Sequence, residues 1–125
     1  MSHPDDKQRR QKSRDPQIVR EEVLRPSHYL GYDRDEMGLY FLGREAFDLA
    51  ESQFRRAAWL NPYEPMFKVH WAIAIIKLGR KDEAHEVLAE VLCRNPDEKL
   101  ATTVWRRYWP QEPLPEADIP PIKGV

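Results

Sequence analysis

Asn61-Pro62-Tyr63-Glu64 and Asn95-Pro96-Asp97-Glu98 are the two stretches on which the reading of this chain turns. Both spell Asn-Pro-x-Glu, and they stand 34 residues apart, a fixed step of the kind that marks stacked supersecondary units. Working outward, the same step pairs Met37 with Trp71, Gly38 with Ala72, Phe41 with Ile75, Leu42 with Ile76, Ala50 with Ala84, Phe54 with Leu88 and Ala57 with Val91. Small residues meet small ones and large meet large. Apolar residues between these marks recur every three or four positions, as on amphipathic helices, and no stretch alternates with period two for long enough to make a strand. Helices are predicted near 34–43, 46–60, 65–78 and 82–93, with Pro65 and Pro96 in first turns, where no intrahelical donor is lost. Each Asn-Pro-x-Glu reads as a capping box, with Glu64 and Glu98 three residues after Asn61 and Asn95. One detail breaks the symmetry. Gly43 lies seven residues before Ala50 but Gly79 only five before Ala84, so the first internal turn is expected early or differently shaped.

A further step carries Trp71 to Trp105 and Ile75 to Trp109, which makes 97–109 a capping segment with a fifth helix starting near Leu100. At the place of Gly38 and Ala72 this segment has Arg106, too large and charged for a following helix to approach. Prolines 110, 113, 115, 120 and 121 then exclude a sixth helix. Residues 110–125 read as an extended, acidic tail.

The arrangement resembles the tetratricopeptide repeat. The matching positions are Gly38, Phe41, Ala50, Phe54, Ala57 and Pro62 in a first repeat (31–64), and Ala72, Ile75, Gly79, Ala84, Leu88, Val91 and Pro96 in a second (65–98). Close helix crossings need small side chains, and Gly38, Ala50, Ala72 and Ala84 supply them. The resemblance implies an all-α fold, a short α-solenoid of antiparallel helix pairs at 33–109. It also implies a non-enzymatic docking surface in which the first helix of each repeat lines a concave groove. That groove would be formed by Tyr32, Asp35, Leu39 and Leu42, then Met66, Val69, Ile73, Ile76 and Lys77. Members that hold acidic chaperone tails use a Lys and Asn clamp there; Asp35, Leu39, Val69 and Ile73 stand in its place, so an apolar helix or extended peptide is the expected ligand.

Composition agrees with one small globular domain: 125 residues, 41% hydrophobic and 33% charged. The longest apolar run, 71–76, stops at Lys77, far short of the roughly 20 residues that span a bilayer. A polar start without an apolar run gives no sign of a secretory signal, and a single cysteine, Cys93, makes no internal disulfide. A cytosolic protein is expected. Net charge is −1, so no global field selects nucleic acid or anionic lipid. The charge is uneven, however, because residues 7–14 carry five basic groups and no acid within a basic arm at 1–32. Inside that arm, Asp15-Pro16 followed by Ile18, Val19, Val23 and Leu24 predicts a short helix at 16–25, unstable alone and required to dock on the repeats or on a partner.

Catalytic chemistry finds little to work with. His3, His28, His70 and His85 have no metal-ligand spacing, Cys93 has no histidine beside it, and the Gly38 to Gly43 spacing lacks the Lys-Ser or Lys-Thr of a phosphate loop. The cluster Trp105, Arg106, Arg107, Tyr108 and Trp109 mixes aromatic and cationic groups, and it supports a second reading as a contact to a membrane surface or, less well, to nucleic acid. The expectation is a non-catalytic scaffold or accessory subunit with no metal or cofactor. It would bind other protein subunits or a second copy of itself, in the cytosol or peripheral to a membrane-bound complex.

Overall fold

The structure, a computed structural model, describes residues 27–117. The basic run at 7–14, the predicted helix at 16–25 and the last part of the tail lie outside the described residues. Five helices and no strand occur among the described residues: α1 Tyr32–Gly43, α2 Phe47–Leu60, α3 Pro65–Lys77, α4 Lys81–Arg94 and α5 Lys99–Tyr108. Consecutive helices pack on one another, α1 also touches α3, and α3 touches α5. The fold is therefore all-α, with two antiparallel helix pairs and a capping helix. The first helices of the pairs lie side by side.

The 34-residue step is carried by backbone hydrogen bonds. At the end of α1, Glu45 N donates to Leu42 O (3.0 Å) and Ala46 N to Phe41 O (2.9 Å). At the end of α3, Gly79 N donates to Ile76 O (2.9 Å) and Arg80 N to Ile75 O (3.1 Å). Both are Schellman motifs, which need one residue with positive φ. Gly79 takes that place with φ 82, and Glu45 takes it with φ 62. The first turn thus has the same length and shape as the second, against the expectation from Gly43. That glycine is the last residue of α1 and has no part in the reversal.

The Asn-Pro-x-Glu connectors are also duplicated, in a form other than a capping box. Asn61 and Asn95 are C-cap residues of α2 and α4, at φ −140 and −134. Glu64 and Glu98 are themselves the N-caps of α3 and α5, their carboxylates accepting from Met66 N and Leu100 N. Pro65 opens α3 as expected, whereas Pro96 falls in the turn, outside any helix. Each tetrad closes one helix and opens the next. A side-chain cap of this kind is worth about 1 kcal/mol.

The main core lies between α3, α4 and α5 and contains Val69, Ala72, Ile75, Ala84, Leu88, Val91, Leu92, Ala101, Val104 and Trp105. Smaller clusters join α2 to α3: Ala50, Phe54 and Ala74 in one, Ala57, Ala58 and Phe67 in the other. A Cβ on Gly38 would stand 2.4 Å from the Phe54 ring, so the glycine lets α2 close on α1. Ala72 and Ala84 are fully buried.

Residues 110–117 are non-helical, yet they fold back onto the domain. Trp105 Nε1 donates to Glu112 O (3.3 Å), His85 Nε2 lies 2.6 Å from Glu112 Oε2, and Leu114 packs on the main core. The first part of the tail is therefore part of the packed unit. Proline forbids helix there but not packing.

Candidate partner-binding surface

The groove positions divide by what the neighbouring helix does to them. Tyr32 and Leu39 on α1 are half exposed, and Lys77 is exposed at the end of α3. Leu42, Met66, Ile73 and Ile76 are partly buried, their inner sides resting on the core clusters. Val69 is fully buried and cannot touch a ligand, because the main core around α4 and α5 encloses it. Asp35 is also largely buried, its Oδ1 2.8 Å from His70 Nδ1. This pair ties α1 to α3 where a ligand contact was expected. The available strip is therefore Tyr32 and Leu39 with the outer sides of Leu42, Met66, Ile73 and Ile76.

Two other polar side chains inside the array have the same tying role. Glu51 accepts from Trp71 Nε1 at 2.7 Å, joining α2 to α3. Asn61 Nδ2 donates to Leu30 O at 3.2 Å while its Oδ1 accepts from Tyr63 N. Every buried side-chain N or O among the described residues has a partner, and these three hold the array together. No group of three or more His, Cys, Asp or Glu side chains among the described residues could hold a metal ion.

At the N-terminal end of α1, the Tyr32 hydroxyl donates to Glu64 Oε1 (3.2 Å) and the His28 ring stacks on Tyr63 with centroids 4.2 Å apart. These four residues and Asn61 line a shallow cleft of about 250 Å³. Desolvation, and then the adjoining Glu64 carboxylate, raise the Tyr32 phenol above its ordinary pKa. It stays a donor. Trp59 is half exposed on the outer side of α2, with the Arg56 guanidinium 4.6 Å over its ring.

The C-terminal aromatic and arginine cluster does not form one surface. Trp105 is buried, and Trp109 packs on the main core and against the His85 ring, 5.0 Å between centroids. Arg106 and Arg107 are exposed, the Arg107 guanidinium 5.8 Å from the Tyr108 ring centroid. Of the two indoles, Trp105 is enclosed and Trp109 is partly covered. Among the described residues no helix is long and apolar enough to cross a membrane.

The large apolar side chains that are exposed are Tyr29, Tyr32, Met37, Leu39, Tyr40, Leu49, Trp59 and Tyr63. All belong to the first repeat and its lead-in, and none to α3, α4 or α5. Sequence reading passed over Met37, Tyr40 and Leu49, having matched Met37 to Trp71 as a core position. Tyr40 could have been noticed, since the step of 34 sets it against Ala74, a tyrosine in place of a buried alanine.

No family model, no curated protein and no solved structure matches the chain. The repeat register and its side chains are what bear on function.

Proposed function

We propose that this chain is a tetratricopeptide-type, non-catalytic module that docks a protein subunit of a larger complex, as a scaffold or accessory component. The observation that carries the reading is the one-sided exposure just described. The C-terminal helices cover their own apolar surface with 110–117, while the first repeat leaves eight large apolar side chains exposed among the described residues. Apolar exposure on that scale is costly in water and is characteristic of docking surfaces. Along the inner side of α1, Tyr32 and Leu39 continue into the half-covered Met66, Ile73 and Ile76 of α3, a strip suited to an amphipathic helix or an apolar extended peptide. Such a subunit would be met in the cytosol or at the periphery of a membrane-bound complex.

The test is affinity capture from source cells with mass-spectrometric identification, comparing the native chain with Leu39→Asp and Tyr32→Ala. Both side chains are about half exposed, so circular dichroism should stay helical while recovery of the partner falls about 10-fold or more, the loss expected at a binding hot spot. Equal recovery with both variants rejects the inner strip as the interface.

A further inference from the structure

We infer that residues 16–25 of this same chain cover the outer face of the first helix pair, the side that α1 and α2 turn away from α3. In the second repeat the equivalent side is sealed by α2. Phe67 is 1% exposed against Ala57 and Ala58, Ala74 is fully buried with Ala50 and Phe54, and Trp71 is held by Glu51. One step of 34 earlier, these positions on α1 are Asp33, Tyr40 and Met37. Tyr40 and Met37 are 53% and 47% exposed. Beside them an open cleft of about 280 Å³ runs between α1 and α2, lined by Asp33, Arg34, Met37, Phe41 and Gln53. Leu49, one turn before Gln53 on α2, is 52% exposed on the same side.

The occupant follows from the step and from where the chain arrives. The helix that seals the second repeat is α2, Phe47–Leu60, and 34 residues before it stand residues 13–26. That window contains the helix start Asp15-Pro16 and the apolar residues Ile18, Val19, Val23 and Leu24. Ser27 N donates to Leu60 O at 3.2 Å, so the first described residue lies at the C-terminal end of α2. A ten-residue helix is about 15 Å long, enough to run along most of the twelve residues of α1. Residues 16–25 are thus the second helix of a shortened preceding repeat. They bury their apolar side chains on Met37, Phe41 and Leu49, and the inner strip stays open.

The experiment uses the full chain, alone and without a partner, with methyl-labelled Met, Leu, Ile and Val. Nuclear Overhauser contacts are expected from Val19, Val23 or Leu24 methyls to the Met37 and Leu49 methyls, and they should persist undiminished when labelled chain is diluted into unlabelled chain. Val23→Asp should erase these contacts and shift the Met37 methyl signal without moving Val91 or Val104 in the main core. Absence of the contacts in the native chain overturns the inference. Contacts appearing only between differently labelled chains overturn it too, since the occupant would then be a second copy. The result is independent of partner capture, so the two readings fail separately.

Discussion

Replacing Glu45 by glycine should stabilise this protein. Glu45 holds φ 62 at the reversal after α1, in the place that Gly79 fills with φ 82 after α3. An L-residue pays about 1–2 kcal/mol for the left-handed region, because its Cβ crowds the following carbonyl. Glycine escapes that cost but loses more freedom on folding, by about 0.5–1 kcal/mol. The balance for Glu45→Gly is a gain of about 0.5–1 kcal/mol. Two companions fix the sign. A Cβ on Gly43 meets nothing within 4 Å, and the residue lies within α1, so Gly43→Ala should add about 0.5–1 kcal/mol through helix propensity. Gly79 also has open space around it, so Gly79→Ala isolates the backbone penalty and should lose about 1 kcal/mol. Urea and thermal unfolding followed by circular dichroism read all three, at about 4–8 °C per kcal/mol for a domain of this size. If Gly43 were the turn glycine, its variant would be the destabilised one. A melting temperature that falls with Gly43→Ala, or with Glu45→Gly, refutes the assignment of the turn.

Ending the chain after Gln111 removes the Glu112 contacts to Trp105 and His85 and the packing of Leu114, and should lower the melting temperature by the equivalent of about 1–3 kcal/mol. Leu114→Ala should reproduce part of the loss, and an unchanged transition in both would mean that the tail does not pack. The hydrogen bond from Lys68 Nζ at 2.8 Å lowers the pKa of Glu90 below its ordinary value. The stability this lends is present above the unfolded carboxylate range and is lost as pH falls through the lower folded value. Lys68→Met should therefore return the Glu90 titration, followed by carboxyl carbon NMR, upward to the ordinary range; an unmoved titration would dismiss the pair.

The step of 34 was legible because both ends of each helix pair are marked by side chains that act locally: asparagine closes a helix and glutamate opens the next. Their exact duties were not, since Asn-Pro-x-Glu fits a capping box as well as a helix-to-helix bridge, and only the backbone angles separate the two. Glu45 escaped notice because glycine is the usual occupant of left-handed positions, which drew attention to Gly43; the register from Gly79 pointed to residue 45 all along. Val69 and Asp35 were placed in the groove by the position they hold on their helices. Their burial depends on α5 and on His70, 35 residues from Asp35, and helical periodicity carries no such information. The same holds for His85 and Glu112, which meet across 27 residues.

The unequal division of the core has a kinetic consequence. Within α1 the buried residues are Asp35 and Gly38, neither of which brings an apolar side chain, whereas α3, α4 and α5 share one continuous apolar cluster. In a linear array each helix answers chiefly to its neighbours, so opening at one end need not propagate. Amide protons of α1 will exchange with solvent through a local opening far cheaper than global unfolding, while those of α3 and α4 wait for the whole molecule to unfold. Whatever covers α1 therefore sets how often the N-terminal pair comes apart.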